Sequence, residues 1–366
     1  MRQIYAGVMS GTSMDGVDAV VADFAPATRG PCALLAAVQL PFAPALADEL
    51  RSLQRSGVDE LARAARAANA LADIYADAIT GALDQAGLAA ADIVAAGVHG
   101  QTLRHRPDEG WTLQLNNPAR VAERAGVAVV ADFRSRDVAA GGEGAPLVPA
   151  FHAALFGGSA HRVVVNLGGI ANLTDLPVQG EVRGFDTGPG NVLSDLWHVR
   201  HRGGPFDRDG AWSRTGRVDD ALLTALRAEP FFARIPPKST GRDLFHGEWL
   251  DARLAGRALA PADVQATLVA LTARTVADAV QTHCAAAADI LVCGGGARNA
   301  ALMDALASAL APRTVATTAA HGVAVEHVEA LAFAWLARAA LAGRPGNLPA
   351  VTGARGARVL GAIYPR

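Results

Sequence analysis

Short apolar runs broken by small polar turns run through this chain from its first residues. Positions 4–9 (IYAGVM) and 17–24 (VDAVVADF) are apolar and rich in β-branched residues. The Gly, Ser, Thr and Asp between them are hairpin boundary residues, so both segments are predicted strands. From about 59 to 86 the period lengthens, with Leu61, Ala65, Ala68, Ala72 and Tyr75 at the spacing of a helix. DIVAAGVHGQT then reads as a strand ending in His99-Gly100-Gln101-Thr102. GVAVVADF is another strand, ending at Asp132 before the Gly-rich stretch AAGGEGAPLVP. Near the middle, RVVVNLGGIANLTDL repeats strand, small polar turn and strand. The two hairpins share a pattern and little residue identity, and together they point to a duplicated unit with two related lobes. DILVCGGGARNAALMDALASAL is a third strand-to-turn unit, with a helix opening near Asn299. The remainder is mainly helical, including VEHVEALAFAWLARAAL, and the tail GARGARVLGAIYP carries one short apolar segment.

Length and composition narrow the classes. A chain of 366 residues is long for one core, and two domains is the natural division. With 51% hydrophobic and 19% charged residues and a net charge of -2, it has the make-up of a soluble globular protein. That balance argues against nucleic acid as a partner, which would call for a basic surface. The five Trp are not interleaved with basic residues as in a single-strand-binding surface. No apolar run approaches the roughly 20 residues that span a bilayer, so no membrane partner is expected. The first residues lack the order of a secretory leader. Cys32, Cys284 and Cys293 are far from any CxxC spacing and are expected to be buried thiols in a reducing compartment. The expected setting is therefore the cytoplasm. His198 with His201, and His321 with His327, lack a carboxylate or Cys partner at metal-site spacing and are expected at the surface.

Three Gly-rich turns, each after an apolar strand, carry the candidate chemistry. In residues 11–18, Gly11 and Gly16 permit a tight turn whose N–H groups, with the hydroxyls of Thr12 and Ser13, could converge on an anion. Asp15 and Asp18 would repel phosphate directly, which points to Mg²⁺, held by Asp15 through water. No GK[ST] follows, so this is not a Walker motif. An ordinary polar hairpin turn is the competing reading. Residues 166–172 and 294–299 add a second and a third turn, and a nucleotide gripped between two lobes would use all three. Asp186, in GFDTGPGN, reads either as an Asx-turn that starts a loop at the mouth of a lobe or as a general base.

GVMSGTSMDGVD, HGQT, GGEGAPLVP, NLGGIANLT, GFDTGPGN, PPKSTGRDLF, CGGGARN and VEALAFAWLA occur in the order and spacing of the 1,6-anhydro-N-acetylmuramic acid kinases. The chain resembles that family from Gly7 to about Leu336. The resemblance implies a two-lobed α/β fold of the actin, sugar kinase and Hsp70 superfamily (ribonuclease H-like), with a duplicated core and a central nucleotide cleft. Lobe I is expected at 1–131 plus 346–366, and lobe II at 132–345. The implied reaction opens the 1,6-anhydro bridge hydrolytically and transfers phosphate from ATP to O6 of the amino sugar, as in peptidoglycan recycling.

Asp186 is then the base. Gly11, Thr12, Ser13, Met14, Asp15, Gly16, Val17, Asp18, Asn166, Gly168 and Gly169 are the expected phosphate-side residues, and Gly294, Gly295 and Gly296 form the adenosine turn. Glu329 matches a family position near the sugar and is the second expected catalytic residue, assisting Asp186 or anchoring the sugar, with a solvated helix carboxylate as the competing reading; Glu326, placed one helical turn earlier, is kept beside it. Arg134 and Asp137 are expected sugar contacts or else a surface ion pair, and His99, Gln101 and Thr102 are expected to line the same pocket. Lys238 and Arg242 touch phosphate or brace a loop, with neither reading preferred. Glu143 stands where the family pattern more usually has Gln, which bears on sugar specificity. An ordinary sugar kinase acting on a free hydroxyl, and a nucleotide-gated interaction protein, are the competing functions. A homodimer is left open.

Overall fold

Three strands open the chain as an antiparallel meander: β1 (Ile4–Met9), β2 (Gly16–Asp23) and β3 (Ala33–Pro41). The long helix Glu60–Ala86 follows, and then β4 (Ala95–Val98) lies parallel to β1. A small hairpin, β5 (Gln101–Arg106) with β6 (Trp111–Leu115), precedes β7 (Val129–Ala131), which is parallel to β4. The same series then repeats: the meander β8 (Arg162–Leu167), β9 (Ile170–Leu176) and β10 (Arg183–Pro189), followed by β11 (Asp289–Cys293) parallel to β8 and β12 (Thr314–Thr317) parallel to β11. A last strand, β13 (Ala362–Tyr364), closes the first sheet against β7. The sheet orders are β13-β7-β4-β1-β2-β3 and β10-β9-β8-β11-β12. Apart from β13, both are third-second-first-fourth-fifth, so the duplication expected from the paired hairpins is present strand for strand. This doubled ribonuclease H-like order is that of the actin-like ATPase fold.

The computed structural model describes residues 3–11, 14–25 and 32–366. Contacts divide the chain into Met1–Leu155 with His327–Arg366, and Phe156–Glu326. Residues 132–155 and 327–345, placed with the second lobe on sequence, thus fall with the first sheet. Steric complementarity explains the second of these segments. A Cβ on Gly7 would lie 1.9 Å from the Ala330 carbonyl oxygen, and one on Gly97 would lie 2.0 Å from that of Phe333. Gly7 and Gly97 are register partners on β1 and β4, so two side-chain-free positions let the helix Val328–Leu341 rest directly on the sheet. Neighbouring positions on β1 and β4, including Ala6, Val8, Ala96 and Val98, join Leu71, Tyr75 and Ile79 of the long helix in one core. In the second unit Val163, Val165, Ile290 and Val292 pack with the helices Pro261–His283 and Ala300–Leu310.

GFDTGPG is not the loop that its Gly and Pro predict. It forms β10, with Phe185 in the core and a register shift between Asp186 and Gly188. A bulge absorbs the turn-forming residues without ending the strand. Among the described residues, no helix is long and apolar enough to cross a membrane.

Candidate active site

In the first unit the β1–β2 turn is held from beneath. The Ser10 and Tyr75 hydroxyls are 2.7 Å apart, Ser10 Oγ donates to the Gly100 carbonyl at 3.2 Å, and Gln101 Nε2 donates to the Gly11 carbonyl at 3.1 Å. Gly16 permits close approach to β3, since a Cβ there would sit 2.4 Å from the Leu40 carbonyl oxygen. Asp15 is exposed and Asp18 half-buried. Met14 and Val17, expected at the nucleotide, turn their side chains into the core, so only their backbones remain for a ligand. Thr12 and Ser13 lie outside the described residues.

The structure brings His99, Arg134 and Glu329 together beside this turn. Arg134 Nε donates to His99 Nε2 at 2.9 Å and its Nη1 to the Gly144 carbonyl at 2.8 Å. The His99 ring lies 4.6 Å from Phe333, one turn beyond Glu329 on the helix Val328–Leu341. Burial and the Arg134 charge hold His99 well below its ordinary pKa, so it is neutral. Burial lowers the Arg134 guanidinium to about 10, and the fields of Glu329 and Asp137 oppose that shift. The side-chain atoms His99 Nδ1, Gln101 Oε1 and both amide atoms of Asn116 are buried without a hydrogen-bond partner among the described residues. Asn116 was missed on sequence, and it joins this group because Gly100 sits against it. Open donors and acceptors of this kind are what a polyhydroxylated ligand or ordered water would satisfy.

Asp137 does not join them. Its carboxylate is fully buried and accepts from Asn347 Nδ2 at 2.6 Å, Thr352 Oγ1 at 2.7 Å and the Gly144 N–H at 2.8 Å. It braces the Gly-rich loop against the C-terminal segment, which is neither a sugar contact nor a surface ion pair. Glu143 in that loop is exposed. Glu326 lies before the helix start at Val328, not one turn along it, and pairs at the surface with Arg298 at 2.6 Å.

In the second unit the second and third turns meet. A Cβ on Gly294, whose φ is +81°, would lie 2.3 Å from Asn166 Oδ1, and one on Gly296 would lie 2.9 Å from Asn191 Oδ1. Gly295 is exposed with open space around it. The β8–β9 turn is tied to the end of β10 by the N–H groups of Gly190 and Asn191, which donate to the Gly169 and Gly168 carbonyls at 2.9 and 2.8 Å.

Asp186 is half-buried on β10, opposite Asn172 of β9. Its N–H donates to the Lys238 carbonyl at 3.1 Å, and its Oδ2 accepts from the Thr240 N–H at 2.9 Å. Burial raises its carboxyl from 3.8 to about 7, against the lowering effects of that hydrogen bond and of the Lys238 charge. Lys238 is buried, donates to the Phe231 and Phe232 carbonyls, and makes no ion pair among the described residues. Sequence left Lys238 undecided and missed Thr240; the motif PPKSTGRD held both, with nothing local to show that they reach Asp186.

The doubled sheet, with glycine turns at strand ends and a carboxyl of raised pKa on a strand tied to one of them, defines an actin-like ATPase-fold protein equipped with a candidate base. The profile of the anhydro-N-acetylmuramic acid kinases matches residues 3–366. Proteins named anhydro-N-acetylmuramic acid kinase from Cupriavidus pinatubonensis and Bordetella parapertussis are 58% and 59% identical; each alignment covers 99% of this chain, and 98% and 96% of those proteins. This chain belongs to the anhydro-N-acetylmuramic acid kinase family. A distant likeness in shape, at 12% identity and a TM-score of 0.49, links 91% of it to 96% of component A of (R)-2-hydroxyglutaryl-CoA dehydratase from Acidaminococcus fermentans.

Proposed function

We propose that this protein opens the 1,6-anhydro ring of anhydro-N-acetylmuramic acid with water and phosphorylates O6 from ATP, giving N-acetylmuramic acid 6-phosphate and ADP in cytoplasmic peptidoglycan recycling. The observation that carries the chemistry is the Asp186 carboxyl, raised by burial to about 7 on the strand whose end is tied to the Gly168–Gly169 turn. The bridged sugar has no free 6-hydroxyl, so water must attack C1. As the C1–O6 bond breaks, O6 bonds to the γ-phosphorus, the bond from that phosphorus to ADP breaks, and Asp186 takes the proton from the water. A base with a pKa near the working pH suits that transfer. Phosphoryl transfer itself needs in-line placement and charge neutralisation more than covalent help from the protein.

The backbone N–H groups of residues 11–18 and of Gly168 and Gly169 are the proposed phosphate donors, and Gly294 to Gly296 pass close to the adenosine. His99, Gln101, Arg134 and Glu329 form the proposed sugar side, with Arg134 suited to the lactyl carboxylate. Mg²⁺, when bound, neutralises the β- and γ-oxygens. The exposed carboxylate of Asp15 fits a hard cation that takes its other ligands from water and phosphate.

The test is ADP release with a panel of acceptors. ADP formation that depends on the anhydro sugar supports the reading; faster turnover with glucose or free N-acetylmuramic acid would replace it with an ordinary sugar kinase.

A further inference from the structure

One loop ties the candidate base to the glycine turn and presents an arginine that the fold leaves uncommitted. Residues 238–242 run alongside Asp186, to which Thr240 donates its N–H and Lys238 offers its carbonyl. Two residues on, Arg242 is exposed, and among the described residues it donates no hydrogen bond and makes no ion pair. Its Nη2 would lie 3.8 Å from a Cβ on Gly169, which places the guanidinium against the turn itself. Its charge reaches Asp195, and that carboxyl does not pair with it among the described residues.

Other arginines of this unit behave differently. Arg200, Arg214, Arg227 and Arg298 each reach a carboxylate within hydrogen-bond distance. A fixed planar cation with free donors, beside backbone N–H groups at a strand end, matches a phosphate in both charge and geometry.

We infer that Arg242 binds the terminal phosphates of the nucleotide at the Gly168–Gly169 turn and neutralises the charge that builds on the transferring group. This rests on the phosphotransferase reading above and adds a residue to it. Because Thr240 and Arg242 share one short loop, the base and the clamp are placed by the same piece of backbone.

The experiment compares wild type, Arg242→Ala and Arg242→Lys by calorimetric binding of AMP and of a non-hydrolysable ATP analogue, alongside turnover. Arg242 is exposed, so the thermal midpoint should not move. Arg242→Ala is expected to weaken the ATP analogue about tenfold to a hundredfold with AMP binding unchanged. Its kcat should fall about 10² to 10³-fold. Arg242→Lys, which keeps the charge without the fork, should lie between, and added guanidinium should restore part of the rate to the Ala variant only. Equal weakening of AMP and the ATP analogue, or no weakening of either, would overturn the clamp and leave the phosphotransferase reading standing. A wild type that binds neither nucleotide would overturn that reading and the clamp with it.

Discussion

Replacing Asp186 by Asn should raise the stability of the protein at alkaline pH while removing its activity. The carboxyl titrates at about 7 in the folded chain against 3.8 ordinarily, because burial outweighs the Thr240 N–H and the Lys238 charge. A group whose pKa is raised on folding contributes stability that is complete below its unfolded value and is lost as pH climbs through the folded one. Between pH 5 and 8 the unfolded chain is already ionised, and the folded protein resists ionisation up to about 7. The loss over that interval is therefore about 2.7 kcal/mol, two pH units at about 1.36 kcal/mol each. Asn keeps an oxygen to accept the Thr240 N–H and carries no charge to desolvate. Urea unfolding of both proteins at pH 5 and pH 8 isolates the effect, because every other titrating group is common to the two. Wild type should lose about 2.7 kcal/mol more than Asp186→Asn across the interval. The variant's turnover should fall about 10² to 10⁴-fold, the usual worth of a positioned base. Parallel pH dependence of the two stabilities, or a variant that keeps most of its rate, would refute the reasoning.

Four further outcomes follow from the same geometry. The pH profile of kcat/KM should show an acid limb near 7, rising as Asp186 ionises, and this limb should be read from initial rates across pH 5 to 9. Asp137→Ala should cost about 3–5 kcal/mol, by leaving Asn347, Thr352 and the Gly144 N–H without their buried acceptor. Its effect should appear in the melting midpoint and not in the KM for the sugar. Gly7→Ala should destabilise by about 3 kcal/mol, because its Cβ would meet the Ala330 carbonyl at 1.9 Å, and thermal unfolding measures this directly. Glu326→Ala should change stability by less than about 1 kcal/mol and leave the rate alone, while Glu329→Gln should slow turnover.

What the sequence made legible is what depends on neighbours along the chain. The β1–β2 and β8–β9 hairpins, the helix Glu60–Ala86 and the helix opening at Asn299 all follow from local period and boundary residues. The strand-to-turn unit at the triple glycine was legible too, but not that Asn166 and Asn191 come against Gly294 and Gly296. Local rules failed where tertiary packing decided the outcome. Gly188 and Pro189 read as a turn, yet pairing with β9 holds them in a strand with a bulge at Asp186. Glu326 and Glu329 looked like one helical face, but the helix begins between them. Asp137 resembled a solvent-facing partner for sugar, and its three donors come largely from residues about two hundred positions away. The Thr240 N–H on Asp186 and the Arg242 guanidinium at Gly169 were hidden for the same reason, since some 54 residues separate Asp186 from its donor. Two glycines in successive parallel strands were visible on sequence, but the helix they admit was not.

The central claim is that ring opening and phosphoryl transfer are coupled at one site. It is tested most directly by the mass of the sugar product formed from ATP, Mg²⁺ and 1,6-anhydro-N-acetylmuramic acid in ¹⁸O-water. A sugar 6-phosphate carrying one heavy oxygen at C1 and none in its phosphate is the predicted result. Heavy oxygen in the phosphate, or no sugar phosphate from a protein that still binds ATP, would contradict it.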